Sequence, residues 1–138
     1  MNPQEPDRAP SAGGKGRVLI VDDETEIVDT LQKILKEQTS FEVQTATSAF
    51  EAGVEIERFR PHVLLLDIHL ADSDGRNVVK FIQQSDELQI TRVVAMSGKL
   101  TDGQVAQLKH QGFDCALRKP FTVRQVIEAI EGASAVVY

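Results

Sequence analysis

The stretch Val63-Leu64-Leu65-Leu66-Asp67 is apolar for four residues and then ends in a carboxylate. It is too short for a typical helix, and a loop follows it, Ile68-His69-Leu70-Ala71-Asp72-Ser73-Asp74-Gly75. A continuous apolar run bounded by turn residues is typical of a strand buried on both faces of a parallel sheet. Ligands bind outside the carboxyl ends of strands in open α/β sheets, so Asp67 is predicted to lie at a binding edge.

Apolar runs and one-sided apolar stripes alternate along the rest of the chain. An earlier apolar run, Arg17-Val18-Leu19-Ile20-Val21, resembles the run at 63–67 and is likewise followed by carboxylates, Asp22-Asp23. Strands are predicted at 18–21, 41–46, 63–66, 92–96 and 113–118, and helices at 24–37, 48–60, 77–85, 101–111 and 122–131. Five such alternations indicate parallel strands with right-handed crossovers and helices on both faces. We therefore predict a three-layer, doubly wound α/β domain over residues 17–132.

Composition narrows the class of protein. The chain has 138 residues, enough for one domain, and a net charge of -6, which disfavours direct nucleic-acid binding. It has one cysteine, Cys115, so no internal disulfide can form. Residues 1–16 are rich in Pro and Gly and predict a disordered tail, and residues 133–138 form a second tail. No signal-peptide core or membrane-spanning run is visible, so we expect a cytoplasmic protein without membrane insertion.

Polar residues of particular types follow four of the five predicted strands. They are Asp22-Asp23, Asp67, Ser97 and Lys119. Parallel strands bring their carboxyl ends to one edge, so these side chains are expected to meet. Clustered carboxylates suit Mg²⁺, and a carboxylate beside a metal can act as a nucleophile that forms an acyl phosphate. Asp22, Asp23 and Glu24 also suit the start of a helix, where the helix dipole is positive. The alternative to a metal-binding role is therefore that they cap this helix.

The pattern resembles the receiver domain of two-component response regulators, over residues 17 to about 132. The motifs that carry the resemblance are Val21-Asp22-Asp23-Glu24, Leu65-Leu66-Asp67, Asp74-Gly75, Ser97 and Lys119-Pro120-Phe121. The resemblance implies a flavodoxin-like fold with strand order 2-1-3-4-5. It also implies that Asp67 takes a phosphoryl group from the phosphohistidine of a sensor histidine kinase or a histidine phosphotransfer protein.

The resemblance further implies roles for the residues around Asp67. Asp23 matches the direct Mg²⁺ ligand, Asp22 the ligand that acts mainly through water, and His69 the residue whose backbone carbonyl binds the metal. Ser97 matches the hydroxyl that turns onto the phosphoryl oxygen, and Lys119 matches the phosphate-binding lysine.

The chain departs from the family pattern at several positions. Ala116 stands where receivers usually carry Tyr or Phe, which puts signalling through helix 4, strand 5 and helix 5 in doubt. Ala71 replaces a common Pro, and Lys99 and His69 occupy positions that tune phosphoryl lifetime in the family. A homodimer through the helix 4–strand 5–helix 5 face remains possible on the resemblance.

Three functions remain open at this point. The first is a stand-alone, Mg²⁺-dependent phosphoacceptor switch that binds an unknown downstream protein and is not otherwise an enzyme. The second is a phosphohydrolase of the haloacid dehalogenase-like type, although those enzymes place the nucleophile after the first strand in an Asp-x-Asp arrangement. The third is a receiver-like scaffold that binds its partner without phosphorylation, which the residue Ala116 motivates. A dinucleotide site is excluded because no Gly-x-Gly-x-x-Gly follows Val21.

Overall fold

Five parallel strands form the centre of the protein in the computed structural model, which describes residues 16–88 and 91–134. They are β1 (Arg17–Val21), β2 (Glu42–Ala46), β3 (Val63–Asp67), β4 (Arg92–Ser97) and β5 (Cys115–Arg118). Their order in the sheet is β2-β1-β3-β4-β5, with every pair parallel. The predicted doubly wound, flavodoxin-like topology is confirmed.

Five α-helices connect the strands and cover both faces of the sheet. They are α1 (Thr25–Gln38), α2 (Ala49–Phe59), α3 (Gly75–Gln83), α4 (Asp102–His110) and α5 (Val123–Ser134), with a short 3₁₀ turn at Asp86–Leu88. One apolar core lies between the sheet and α2, α3 and α4, and the other lies between the sheet and α1 and α5. Leu64 and Leu66 enter the first core and Val63 and Leu65 the second, because successive side chains of a strand point to opposite faces. This explains why β3 is apolar at every position before Asp67.

Two helices, α3 and α5, have ends that lie two or more residues from the predicted positions. Helix α3 begins at Gly75 rather than at residue 77, because the Asp74 side chain accepts a hydrogen bond from the Arg76 backbone N–H and caps the helix there. Helix α5 continues to Ser134, so the prediction that Gly132 lies beyond its end is wrong. The sequence pattern also predicts Phe81 on the apolar face of this helix with Val78 and Ile82. In the structure Phe81 is 38% exposed, and Val79 is buried instead.

The start of β5 also differs, for a reason that involves a glycine. Gly112 adopts a φ of 104° after α4, as expected for a C-cap glycine, and the Phe113 backbone N–H then donates to the Leu108 carbonyl. Phe113 therefore closes the helix, whereas Asp114 already bonds to β4, where its N–H donates to the Val93 carbonyl at 2.8 Å. The strand β5 itself starts at Cys115 rather than at residue 113.

The amino ends of the strands hold a histidine that the sequence placed on the surface. The Nδ1 atom of His62 accepts a hydrogen bond of 3.0 Å from the Arg17 backbone N–H. The ring is half-buried there, and desolvation together with the nearby Arg17 charge lowers the pKa of His62 to about 4. The sequence alone predicts His62 to be a surface residue, and this prediction is wrong.

The two predicted tails lie at the ends of the chain. Residues 1–15, 89–90 and 135–138 lie outside the described residues, so most of the two predicted tails is not described. Gly16, the last residue of the predicted N-terminal tail, is among the described residues, and its carbonyl accepts a hydrogen bond of 2.8 Å from the Glu42 backbone N–H. Within 16–88 and 91–134, no helix is both long and apolar enough to cross a membrane.

Candidate functional site

The carboxyl ends of β1, β3, β4 and β5 form one edge of the sheet, as the strand order requires. Val21 pairs with Leu66, Asp67 with Met96, and Ser97 with Arg118, so the chain leaves these strands at similar heights. Asp22, Asp67, Ser97 and Lys119 are therefore neighbours, although they lie far apart in sequence. The structure brings these four residues together at one edge of the sheet, as the positions of the predicted strands indicate.

Lys119 is the centre of this group. Its Nζ donates hydrogen bonds to Asp22 Oδ2 at 2.7 Å, to Asp67 Oδ2 at 3.2 Å and to Glu24 Oε1 at 3.3 Å. Asp22 is 0% exposed and Asp67 is 4% exposed, whereas Glu24 is open to solvent. One ammonium group thus lies between two buried carboxylates and offsets part of their mutual repulsion in a poorly solvated place.

The net effect of burial and neighbouring charges is to raise the pKa values of both Asp67 and Lys119. Burial raises the pKa of Asp67, and the negative charge of Asp22 adds to that effect, while the His69 backbone N–H and Lys119 oppose it. Burial on its own lowers the pKa of Lys119, but the hydrogen bond to Asp22 and the charge of Asp67 outweigh it and raise that pKa. Lys119 therefore stays cationic at neutral pH, and Asp67 is a more basic carboxylate than an ordinary one.

Backbone groups orient the remaining oxygen atoms of the site. The His69 N–H donates to Asp67 Oδ1 at 2.9 Å, and the Glu24 N–H donates to Asp22 Oδ1 at 3.0 Å. The buried Ser97 hydroxyl oxygen accepts from the Lys99 N–H at 3.1 Å. Each side chain is thus aimed by the loop that follows its own strand.

The donor set of the site fits a hard divalent cation. Asp22, Glu24 and Asp67 each offer a carboxylate oxygen, and these oxygens lie within 4.8 Å of one another, which makes them the one such group in the described part of the chain. Mg²⁺ prefers oxygen ligands of this kind and uses few carboxylates. The carboxylates, together with a lysine that can be displaced toward an incoming anion, therefore suit Mg²⁺ in the presence of a phosphoryl group.

The sequence and the structure differ over which acidic residues form this group. Asp23, predicted as a direct metal ligand, is half-buried and is not a member of the group, while Glu24 is. Glu24 occupies the N-cap position of α1, but its side chain makes no capping hydrogen bond and contacts Lys119 instead. Sequence reasoning treated it as a residue of the helix start, and only its place in an unbroken run of three acids hinted at more.

The position that lacks the family's aromatic residue lies on β5. Ala116 pairs with Ala95 of β4 and packs against the core beneath α2, α3 and α4. The neighbouring contact between α4 and β5 is an ion pair in which Arg118 donates to Asp102 at 2.5 Å, and both side chains are largely exposed. The methyl group of Ala116 cannot move between an inner and an outer position as a ring can.

Comparison with known proteins places the chain in one family. The model of the family described as "Response regulator receiver domain" matches residues 18–131. The chain is 29% identical over 114 residues to the polar-differentiation response regulator DivK of Brucella anthropi, covering 83% of this chain and 92% of that protein. It is also 31% identical over 115 residues to the transcriptional regulatory protein PrrA of Mycobacterium leprae, covering 83% of this chain. The chain spans 48% of PrrA and 46% of the similar regulatory protein TrcR of Mycobacterium tuberculosis, about half the length of each.

Solved structures agree on the fold. A putative response regulator from Chloroflexus aurantiacus superposes with a TM-score of 0.81 at 23% identity, covering 88% of this chain and 99% of that one. The chemotaxis protein CheY4 of Vibrio cholerae gives a TM-score of 0.80 at 22% identity, covering 87% and 99%. Since the family match covers the sheet from Val18 onward together with its acidic edge, the chain belongs to the response regulator receiver domain family, whose members are phosphoacceptor switches of two-component systems.

Proposed function

We propose that Asp67 accepts a phosphoryl group from the phosphohistidine of a sensor histidine kinase or a histidine phosphotransfer protein. In this step one Asp67 oxygen attacks phosphorus, the P–N bond to the donor breaks, and its electron pair stays on the imidazole nitrogen. The observation that carries the proposal is the contact of Lys119 Nζ with the buried carboxylates of both Asp22 and Asp67. A cation held at that point can follow the charge as it passes to the phosphoryl oxygens.

The other residues of the site have supporting roles in this proposal. The Ser97 hydroxyl oxygen is occupied as an acceptor by the Lys99 N–H, so its hydrogen remains to donate to a phosphoryl oxygen. Asp22, Asp23, Asp67 and the backbone carbonyl of His69 are the proposed Mg²⁺ ligands, and Glu24 extends the acidic set that the structure brings together. A bound Mg²⁺ would neutralise the negative charge of the transferred group.

A groove beside the site supports the docking of a phosphodonor protein. It lies between α1 and α5, has a volume of about 580 Å³, and includes the apolar side chains of Ile27, Leu31 and Phe121. Glu24 and Lys119 belong to its lining as well, so the groove is continuous with the acidic edge. The groove reaches Lys119, which contacts the proposed phosphoacceptor Asp67. An apolar surface in this place suits a donor domain that must bring its phosphohistidine into line.

The proposed switch acts in the cytoplasm as a stand-alone domain and signals by binding a downstream protein when phosphorylated. Phosphorylation adds roughly -1.5 to -2 charge units and shifts the balance between two conformations. A homodimer through α4, β5 and α5 is a further prediction, which sedimentation velocity with and without phosphorylation tests.

Intact mass after incubation with acetyl phosphate tests the chemistry. We expect one added phosphoryl group on the wild type in the presence of Mg²⁺, none without Mg²⁺, and none on Asp67→Asn. Asp102→Asn is the matched control, since Asp102 is an exposed aspartate that pairs with Arg118 and not with Lys119, and it should be phosphorylated like the wild type. An adduct that persists in Asp67→Asn would contradict the assignment of the phosphoacceptor.

A scaffold that binds its partner without phosphorylation is the second candidate, and Ala116 is the observation that favours it. In that case partner affinity would be the same for the wild type, with or without acetyl phosphate, and for Asp67→Asn. The switch requires that phosphorylation changes the affinity in the wild type alone.

A further inference from the structure

The loop that follows the phosphoacceptor is hydrogen-bonded to the start of a distant helix. Asp72, in the loop between β3 and α3, accepts the Ala49 N–H on Oδ1 at 2.8 Å and the Phe50 N–H on Oδ2 at 3.1 Å. The first N–H groups of a helix have no partner within the helix. The helix's own cap, Ser48, serves only the Glu51 N–H, at 3.1 Å. The first turn of α2 is therefore capped mainly by a residue of another loop.

This loop has little freedom to absorb a change at Asp67. Its first residue, Ile68, is fully buried, its N–H donates to the Met96 carbonyl at 3.1 Å, and its carbonyl accepts from Gly75 at 2.7 Å. The next residue, His69, donates its N–H to the Asp67 carboxylate itself, at 2.9 Å. A change in that carboxylate therefore acts directly on the backbone of His69, three residues before Asp72.

Along α4 and β5, the other described elements that lead away from the site, no side chain is present that could change position as the family's aromatic residue does. Ala116 has no ring to change position, and the link between α4 and β5 is the exposed ion pair of Arg118 with Asp102. The turn that Asp72 holds, in contrast, carries Phe50, whose side chain is 77% exposed. A shift of this turn changes the surface that the molecule presents.

We propose that Asp72 is a positioning residue that couples the phosphorylation state of Asp67 to the first turn of α2. This inference rests on the proposed phosphorylation of Asp67. The phosphoryl oxygens attract backbone N–H groups of the loop, His69 turns toward them, and the hydrogen bonds from Ala49 and Phe50 to Asp72 weaken. Coupling between two sites is reciprocal, so loss of the Asp72 bonds favours the phosphorylated form.

Two-dimensional NMR of the full chain tests the path. Beryllofluoride with Mg²⁺ serves as the phosphoryl mimic, and the amide resonances of Ala49 and Phe50 report directly on the bonds to Asp72. We expect both resonances to shift in the wild type and in Asp102→Ala, and to be insensitive to beryllofluoride in Asp72→Ala. Asp72→Asn, which keeps one oxygen acceptor, should show an intermediate response.

The affinity for beryllofluoride is the readout that a purely structural cap would not change. We expect Asp72→Ala to bind it about threefold to tenfold more tightly than the wild type, consistent with the free energy of a helix cap, and Asp102→Ala to bind it equally well. The inference is overturned, and the proposed function is not, if Asp72→Ala binds beryllofluoride as the wild type does or more weakly. The same holds if resonances shift near Ser97 and Lys119 but not at Ala49 and Phe50. Absence of any shift around Asp67 in the wild type would overturn the proposed function and the inference together.

Discussion

Replacing Gly75 with alanine should damage the site through one methyl group. A Cβ on Gly75 would lie 2.6 Å from the Asp67 carbonyl oxygen and 2.9 Å from the Ile68 Cα, whereas ordinary contact begins at 3.4 Å. Both neighbours are backbone atoms, so the start of α3 or the end of β3 must move by about 0.8 Å. A displacement of about 1 Å at a reacting group costs on the order of 10²-fold in rate, and overpacking costs about 1–3 kcal/mol in free energy of unfolding.

Gly53→Ala is the matched control for this change. Gly53 lies within α2, and a Cβ there would meet nothing within 4 Å. The substitution should raise the free energy of unfolding by about 0.5–1 kcal/mol and leave phosphorylation unchanged. Urea denaturation gives the stabilities, and the growth of phosphorylated mass with acetyl phosphate and Mg²⁺ gives the rates. If Gly75→Ala is phosphorylated as fast as the wild type, the close approach of α3 does not position Asp67, and our reasoning fails.

Three further predictions concern stability. The pKa of His62 falls from 6.5 in the unfolded chain to about 4 in the fold, so His62 contributes stability that is complete above pH 6.5 and is lost as the pH falls toward 4. Because the ring is partly exposed, this contribution is reduced to about 1–2 kcal/mol. Denaturation between pH 7.5 and pH 4 measures it. The free energy of unfolding of His62→Gln should lack this loss at low pH, whereas His110→Gln, a change at an exposed histidine, should keep it. Burial raises the pKa of Asp67, so the charged carboxylate destabilises the fold above that pKa. Asp67→Asn should therefore raise the urea midpoint at pH 7 but not near pH 3.8. A lower midpoint for Asp67→Asn at pH 7 would contradict this prediction. Thr101 caps α4 with a reciprocal Gln104 contact, so Thr101→Ala should lower the free energy of unfolding by about 1 kcal/mol, and no change in urea would show that the cap contributes nothing.

The sequence was sufficient for the layers of the fold and for the edge on which the site lies. The fully apolar strand at Val63 requires cover on both faces, and the alternation with amphipathic helices leaves few topologies. Polar residues at the strand ends, among them Ser97 and Lys119, then meet because parallel strands end together. These inferences depend on local pattern and on the geometry of a sheet, which the sequence states directly.

The tertiary structure decided which side chains of that edge touch. Glu24 joins the acidic group and Asp23 does not, because the turn into α1 directs one side chain toward Lys119. Asp72 caps α2 across 23 residues of chain, and His62 is half-buried by a contact with a strand 45 residues away. Such contacts depend on how loops pack after the sheet has formed, and no local periodicity records the direction of a single side chain.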